Sequence, residues 1–445
     1  MLGSLTHVRR DPLAFLERVS QRYGDIAHLR LGPFHVYLLN HPDDIEQVLV
    51  TQQHRFVKGR ALSGARRLFG VGLLTSDGEL HAHQRRLIQP AVHRVRLDAY
   101  ARVMTTLAVE TRDRWRDGDI VDIAGEMSRL TLAITCRLLF GAEADAIASD
   151  IAAALRDATS VMEVAVLPFA ALTDLLPFPQ VRRLRDARAT LDRVLIECIE
   201  RRRRNGTDSA DIVSLLMSAE GVAGGEGMTD SQLRDEIITL ILASHETTAN
   251  ALTWTWYLLA RHAGVDAMLG AEIDAVLGRD ALPDIGNMSD FPFVRMLLTE
   301  SMRLYPPAWL LARVAVENHD VRGYVVPKGS IVAMSPWVVH RNPEYFPEPD
   351  RFDPERWRMD RHDRPRFSYF PFGGGSRGCM GEAFAWMEGV LLLAAIGQRW
   401  RFRVLDESAH PEMHPALTLT PKSGIPVQIE RRPSRPRTAG RRGHV

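Results

Sequence analysis

A single long helix is the feature that most constrains how this sequence can fold. Thr229 and Gln232 have the spacing of a capping box, in which two side chains satisfy backbone groups at a helix start. Apolar residues then recur at helical spacing to about His262, and Gly264 offers a stop. At about 1.5 Å per residue, some 33 residues give a rod of roughly 50 Å, which is long enough to cross a whole domain. The sequence therefore predicts a large domain in which the middle of this helix is buried.

Five polar residues interrupt the apolar pattern in the middle of that helix. They are Ser244, His245, Glu246, Thr247 and Thr248, and apolar residues resume after them. Burying them costs several kcal/mol unless they are paired or used, so a functional site is expected. The alternative is a solvent-facing stripe with threonine hydroxyls bonded to the preceding turn. A zinc-protease motif is excluded, because the second histidine of H-E-x-x-H is absent.

Composition places the chain among folded globular proteins and argues against strongly charged partners. Of 445 residues, 45% are apolar and 25% are charged, which suits a large buried core. A net charge of +1 creates no global field for nucleic acid or an anionic membrane. The 3 cysteines show no C-x-x-C spacing, which suits a reducing cytoplasm. The longest uncharged run, 247–260, falls short of the roughly 20 apolar residues of a spanning helix, so we expect neither a membrane anchor nor a signal peptide.

The rest of the pattern predicts one domain with a small strand-rich part. Residues 28–39 alternate around a hairpin turn at Gly32-Pro33, and residues 306–350 are rich in strands and turns. Helical spacing recurs in the segments 11–23, 97–116, 180–204 and 293–305. No repeat or linker divides the chain, so we expect a single domain over residues 1–430. The tail 431–445 is rich in arginine and proline and is predicted to be disordered.

One cysteine stands among five glycines in the segment from Phe372 to Gly381. Glycine permits positive φ and close backbone approach, so the loop can fold around Cys379 and point N–H groups at its sulfur. A helix starting near Gly381 would further favour a thiolate. These residues alone fit a thiolate ligand for iron and a buried free cysteine about equally well. The segment 374–378 also reads G-x-S-x-G, but Pro371 is wrong for the buried strand that a hydrolase elbow needs.

The same loop resembles the haem-binding signature of the cytochrome P-450 family. Phe372, Gly375, Arg377, Cys379 and Gly381 match F-x-x-G-x-R-x-C-x-G at every fixed position. The resemblance implies the P-450 fold, which is mainly α with a small β region, and haem b as cofactor. It also implies that Cys379 ligates the iron, that Arg377 contacts a propionate and that Phe372 belongs to the cofactor site. A thiolate ligand favours O–O cleavage, as an oxygen-inserting enzyme requires.

Other segments resemble further parts of the family pattern. Residues 243–248 resemble A-G-x-E-T-T, which implies that Glu246 and Thr247 deliver protons during oxygen activation, although Ser244 replaces the usual glycine. Contacts to the haem propionates are implied for three more basic residues: His81, Arg85 and Arg313. A structural triad near the haem, with Trp357 packed beside it, is implied for Glu300, Arg303 and Arg356. Without the resemblance, such charged residues at helical spacing are typical of exposed helix faces.

The resemblance implies a haem-thiolate monooxygenase that inserts one oxygen atom from O2 into a lipophilic small molecule. Terpenoids, fatty acids and polyketides are the expected substrate classes. Ferredoxin and ferredoxin reductase are the expected electron donors, and the alternative function is a non-catalytic haem sensor or carrier. Substrate-dependent NAD(P)H consumption with an oxygenated product would separate the two. The pocket is expected in residues 60–74 and 164–176 and in five further residues: Leu240, Ala243, Ala308, Trp309 and Leu310.

Overall fold

The computed structural model describes most of the chain. The described residues are 10–59, 62, 65–66, 69–165, 179–205, 211–219, 227–278, 280–358 and 364–433. Three parts of the expectations fall outside them: the tail from residue 434 onwards, pocket residues 166–176, and most of 60–68.

Helices make up most of the described structure. Numbered in chain order, the α-helices are α1 Pro12–Tyr23, α2 Pro42–Glu46, α3 Gly78–Ile88, α4 Arg94–Asp113, α5 Ile123–Phe140, α6 Ala144–Ala165, α7 Pro179–Asn205, α8 Ile212–Ser218, α9 Asp230–Arg261, α10 Ala263–Leu277, α11 Pro292–Leu304, α12 Pro336–Val339 and α13 Glu382–Gly397. The predicted helices at 11–23, 180–204 and 293–305 are confirmed as α1, α7 and α11. Helix α4 lies slightly before its predicted segment, 97–116.

In the described part of the chain, the strands form one mixed sheet and three small antiparallel ones. They are β1 Ile26–Leu31, β2 Phe34–Leu39, β3 Phe56–Lys58, β4 Ile120–Asp122, β5 Leu311–Ala315, β6 His319–Val321, β7 Tyr324–Val326, β8 Ile331–Met334, β9 Trp400–Val404, β10 Met413–Pro415, β11 Leu419–Pro421 and β12 Pro426–Arg431. The mixed sheet has the order β1-β2-β8-β5-β3, in which β2 and β8 are parallel. The predicted hairpin is confirmed, since Leu31 pairs with Phe34 and Gly32 takes a positive φ of 61°.

Helix α9 is the long helix expected from the sequence. Its capping box is confirmed, because Thr229 Oγ1 accepts the N–H of Gln232 at 3.2 Å and Gln232 Oε1 accepts the N–H of Thr229 at 2.9 Å. The helix packs most closely on α5 and also contacts α7, α11 and α13. Trp254 and Trp256 are fully buried in its second half. Such burial on several faces positions the polar residues of its middle inside the protein.

The expected stop at Gly264 is wrong. Helix α9 ends at Arg261, and Gly264 lies in the first turn of α10 with no positive φ. His262 separates the two helices: its backbone N–H bonds to the carbonyl of Leu259, and its Nδ1 lies 2.8 Å from the carbonyl of Leu258. These contacts satisfy the last carbonyls, so no left-handed residue is required. Among the described residues, every helix is too short or too polar to span a bilayer.

Candidate active site

The loop around Cys379 is packed so closely that it depends on glycine. Gly375 has a φ of 68°, and a Cβ atom there would lie only 1.9 Å from the carbonyl oxygen of Leu49. The neighbouring N–H of Ser376 donates to Gln53 Oε1 at 2.8 Å. Inside the loop, the N–H of Cys379 donates to the carbonyl of Phe372 at 3.0 Å. Glycine at position 375 therefore lets the cysteine loop pack against the segment that contains Leu49 and Gln53.

The electrostatic environment of Cys379 combines two opposing effects. Burial raises the pKa of its thiol above the ordinary value, whereas a hydrogen bond from the N–H of Gly381 acts to lower it. The residue is nevertheless exposed to solvent, in contrast to Cys136 and Cys198, which are buried. Gly381 also precedes α13, which confirms the expected helix start. A bound metal cation would complete the stabilisation of the thiolate, because a coordinating thiol is deprotonated outright.

A cationic cluster lies beside the cysteine loop. It consists of Lys58, Arg313 and Arg377 with one contacting carboxylate, Asp77. Arg377 Nη2 lies 2.9 Å from Asp77 Oδ1, and Lys58 pairs with Arg313 in the register of β3 and β5. Burial lowers the pKa of Lys58 to about 8 and, together with the charge of Arg377, lowers that of Arg313 to about 10. Positive charge is therefore crowded and incompletely neutralised in this part of the structure.

These residues fit a haem group. The three cations outnumber the contacting carboxylate of Asp77, and the nearby Glu236 has a pKa raised to about 7, so haem propionates would offset the positive charge that remains in the cationic cluster. The accessible sulfur of Cys379 is the donor type that suits iron. Arg313 and Arg377 are the side chains best suited to hold propionates, because guanidinium groups bind carboxylates through paired N–H donors.

His81 and Arg85 differ in what they contribute. His81 is buried on α3, and burial, with the charges of Lys58 and Arg377, lowers its pKa to about 4. It is therefore neutral near pH 7 and can act only through a hydrogen bond. Arg85 Nη1 donates to the carbonyl of Gly378 at 3.0 Å, which ties α3 to the cysteine loop. In this geometry Arg85 supports the cysteine loop, and its charge also acts on His81.

The polar middle of α9 is paired with other groups. Ser244, His245, Glu246 and Thr247 are partly buried and Thr248 is buried, so the segment is not a solvent-facing stripe, although the Thr247 hydroxyl does bond to the preceding turn. The helix runs without interruption through Ser244, whose Oγ donates to the carbonyl of Leu240 at 2.7 Å. Thr247 Oγ1 donates to the carbonyl of Ala243 at 2.6 Å. His245 Nε2 lies 3.1 Å from Ser128 Oγ, so this side chain packs against α5.

The acidic residue of this segment has partners that lie far apart in the chain. Burial raises the pKa of Glu246, and a hydrogen bond from Thr418 opposes that rise. Thr418 lies between β10 and β11, and its Oγ1 also accepts a hydrogen bond from Asn250 at 3.0 Å. Neither partner could be identified from the sequence. No motif marks Thr418, and Asn250 is only one turn beyond Glu246 on α9.

The predicted contacts of the triad form around a fully buried carboxylate. Arg303 donates to Glu300 from Nε at 2.8 Å and from Nη2 at 2.9 Å, and Arg356 Nε donates to the same group at 2.9 Å. Glu300 and Arg303 are 0% exposed. The expectation that Trp357 only packs there is wrong, because its Nε1 donates to Glu300 at 2.8 Å. A buried carboxylate accepts further donors readily, since each unsatisfied lone pair is costly.

The five expected pocket residues fall into two groups. Ala243 is exposed in the middle of the buried helix α9, Leu310 is 37% exposed, and Leu240 and Ala308 are partly buried. Trp309 instead packs in a hydrophobic cluster with residues such as Trp337. Its indole N–H donates to the carbonyl of Ala416 at 3.0 Å, as a buried indole requires. Trp309 is thus placed in the core rather than on an accessible wall.

Lys58 and Asp77 are further residues that the sequence analysis missed. Lys58 ends β3, and its Nζ donates to the carbonyl of Leu73 at 2.5 Å. The sequence carried a weak indication of Lys58, because almost all of the 56 basic residues are arginines and lysine is rare. Position within a short strand did not distinguish Lys58 from a surface residue.

The chain is similar to many proteins of one family. A family model described as "Cytochrome P450" matches residues 1–428. Cyclooctatin synthase from Streptomyces melanosporofaciens is 38% identical over 434 residues, which are 96% of this chain and 93% of that protein. Cyclooctat-9-en-7-ol 5-monooxygenase from the same organism is 37% identical, over 91% of this chain and 88% of its own length. Pentalenene oxygenase from Streptomyces avermitilis is 33% identical, over 91% and 90% respectively.

Solved structures are similar over nearly the whole chain. The haem domain of cytochrome P450DA superposes with a TM-score of 0.84 at 26% identity, covering 95% of this chain and 94% of that domain. A cyanobacterial protein, CYP120A1 with bound retinoic acid, gives the same TM-score at 24% identity, covering 93% of each chain. The second likeness shows the fold alone.

Proposed function

The chain belongs to the cytochrome P450 family and is a monooxygenase, and from this premise we propose that it oxygenates a terpenoid. One observation carries the proposal: relatives that are 33–38% identical over more than nine-tenths of this chain bear the names of terpenoid-modifying enzymes. Fatty acids and polyketides, the other expected classes, have no such support. A non-catalytic sensor or carrier is excluded by membership among monooxygenases.

The accessible apolar residues support a substrate with little polar surface. Ala243 and Leu310 expose aliphatic carbon, and Leu240 is only partly buried. Terpenoid skeletons consist mostly of hydrocarbon, so their transfer from water to such surfaces is driven by burial of apolar area. We propose that these three residues contact the substrate.

We propose that Cys379 is the protein ligand of haem b and that Arg313 and Arg377 hold its propionates. When bound, the haem supplies the iron centre that activates dioxygen for insertion of one oxygen atom. The N–H of Gly381 stabilises the charge on the sulfur, and Arg85 holds the cysteine loop through the carbonyl of Gly378.

We propose that Glu246 and Thr247 manage the protons of the reaction. Burial raises the pKa of the Glu246 carboxyl group, so it keeps its proton to a higher pH than an exposed glutamate and can release that proton to a nearby water. The Thr247 hydroxyl gives its proton to the carbonyl of Ala243, so its oxygen remains able to accept a hydrogen bond from a water. The two side chains thus supply a proton source and a water-holding group one residue apart.

Ferredoxin and ferredoxin reductase are proposed as electron donors, and the cytoplasm as location. Arg86 is exposed on α3, the helix that Arg85 ties to the cysteine loop, and it offers positive charge for an acidic redox protein. The cytoplasm is supported by the three cysteines, which are all free.

A substrate panel tests the terpenoid proposal. Polycyclic terpene hydrocarbons and alcohols, fatty acids and macrolactones are first screened for spectral shifts of the haem protein. Compounds that bind are then incubated with ferredoxin, its reductase, NADPH and ¹⁸O2, and products are analysed by mass spectrometry. We expect a terpenoid product that carries one ¹⁸O atom, and none when ferredoxin is omitted. Preferred turnover of a fatty acid or macrolactone over every terpenoid would contradict the proposal.

A further inference from the structure

The hydroxyl of Thr418 joins the hairpin β10–β11 to the acid on α9. Its Oγ1 donates to Glu246 Oε1 and accepts from Asn250 Nδ2 at 3.0 Å. Thr418 and Asn250 are 5% and 6% exposed, so water competes little for these bonds. Because an amide nitrogen can only donate, the single hydroxyl proton of Thr418 is directed to Glu246. The three groups form a chain of hydrogen bonds with one defined direction.

The hairpin does not need the Thr418 hydroxyl to stay in place. The N–H of Leu419 donates to the carbonyl of Pro307, and Trp254 Nε1 donates to the carbonyl of Leu419, each at 3.0 Å. Trp309 Nε1 donates to the carbonyl of Ala416, also at 3.0 Å. All three bonds flank position 418 and use backbone atoms of the hairpin. A side-chain change at Thr418 should therefore leave the hairpin docked.

The hydroxyl is the group that offsets the burial of Glu246. Burial is the larger influence on the pKa of this carboxyl group, and the hydrogen bond from Thr418 is the opposing one. No charged side chain among the described residues contributes to the shift. The neighbouring residue on α9, His245, contacts Ser128 and is not among the groups that shift the pKa of Glu246.

We infer that Thr418 is a positioning residue for Glu246, holding Oε1 so that Oε2 is the oxygen that carries the transferred proton. The inference rests on the proposed role of Glu246. In the step, the proton leaves Oε2 for a pocket water, the charge left on the carboxylate is stabilised by the Thr418 O–H at Oε1, and a proton from solvent restores Oε2. Thr418 keeps its own proton throughout.

Matched variants at position 418 provide the test. Thr418→Val removes the hydroxyl at nearly constant shape, and Thr418→Ser keeps it. Asn250→Ala is a second variant, which frees the hydroxyl to turn away. Infrared spectra of the holoenzyme between pH 5 and 9 report the protonated carboxyl band of Glu246, which is assigned by its loss in Glu246→Gln. We expect the midpoint of this band to move to higher pH in Thr418→Val and to stay in place in Thr418→Ser.

Product yield gives the second readout. With ferredoxin, its reductase and a substrate that is turned over, we expect Thr418→Val to form roughly tenfold less product per NAD(P)H and more hydrogen peroxide, as for loss of one hydrogen bond to a charged group. Thr418→Ser should restore the wild-type yield, and Asn250→Ala should lie between the two. Thermal unfolding midpoints of the variants should remain close to the wild type.

Two results would overturn the inference. One is an unchanged midpoint in Thr418→Val, and the other is a shifted midpoint with an unchanged product yield. Neither bears on whether the chain oxygenates terpenoids, because that is decided by the wild-type substrate panel. Conversely, if the wild type turned over no terpenoid, the infrared comparison would still show whether the Thr418 hydroxyl acts on Glu246.

Discussion

Arg356 Nε lies 2.9 Å from Glu300 Oε1, so a carboxylate with no solvent exposure joins α11 to the segment that precedes the cysteine loop. Arg303 Nε binds the other carboxylate oxygen at 2.8 Å. One buried acid therefore neutralises two arginines from separate parts of the chain. Its removal leaves both arginines uncompensated.

We expect Glu300→Ala to lower the free energy of unfolding by about 3–5 kcal/mol, because it leaves buried positive charge without a partner. Soluble yield and haem content should fall with it. The control is Glu412→Ala, since Glu412 and its partner Lys422 are 69% and 54% exposed and such pairs contribute about 0–1 kcal/mol. Chemical denaturation measures both. Full stability and haem content with only slowed turnover would instead place Glu300 in catalysis.

The Cys379→Ser variant should lose the red-shifted absorption of the reduced carbon monoxide complex that is typical of thiolate haem. The serine hydroxyl is a far weaker acid than a thiol and does not supply the same ligand. The control is Cys198→Ser, because Cys198 is buried and its thiol pKa is raised to about 11. A normal spectrum in Cys379→Ser, or its loss in Cys198→Ser alone, would reject the assignment of the ligand.

Thr247→Ala should bind substrate nearly as the wild type does but release more hydrogen peroxide per NAD(P)H consumed. Removing a group that positions a transferred proton costs about 10² to 10⁴-fold in that step. Thr248→Ala should have a much smaller effect, because this neighbour is buried on another face of α9. Product formed per NAD(P)H oxidised is the measurement. Equal yields in the wild type and Thr247→Ala would assign the role to Glu246 or Ser244.

Lys58 gives a prediction about pH and haem together. Its pKa is about 8 in the folded state, against 10.5 as the ordinary value, so the folded state binds fewer protons between these pH values. The free energy of unfolding of the apoprotein should therefore rise as pH increases from about 8 to 10.5. Lys58→Met should remove most of this rise and stabilise the apoprotein at pH 7 by about 3 kcal/mol.

The opposite effect is expected once haem is bound, because Lys58→Met removes a cation that favours the propionates. The variant should lose haem to an acceptor protein faster than the wild type. The exposed Lys328, changed to Met, serves as control and should alter neither quantity. If Lys58→Met changed neither the stability of the apoprotein nor the rate at which the holoprotein loses haem, the positive charge of the cationic cluster would not be destabilising.

The features that could be predicted from the sequence are those encoded by short spacing. The capping box of Thr229 and Gln232 and the pair Glu300 and Arg303 each span three residues, and the structure shows their contacts directly. The cysteine loop is equally local. The bond from Thr418 to Glu246 joins residues 172 positions apart, and no repeating pattern in the sequence indicates it. The prediction that Trp309 lines the pocket is wrong, because an aromatic residue after a turn suits a pocket wall and a core equally well.

The pairing of β4 with β12 determines when the molecule can be completed during synthesis. Asp122 pairs with Pro426 in the register of these strands, and Asp122 Oδ1 accepts the N–H of Ile425 at 2.7 Å. Synthesis proceeds at about 5–20 residues per second, so β4 waits roughly 15–60 seconds for its partner. The hairpin that contacts α9 also emerges late. Helices α5 and α9 must therefore remain soluble on the ribosome before the last strands arrive, and aggregation competes with folding throughout that interval.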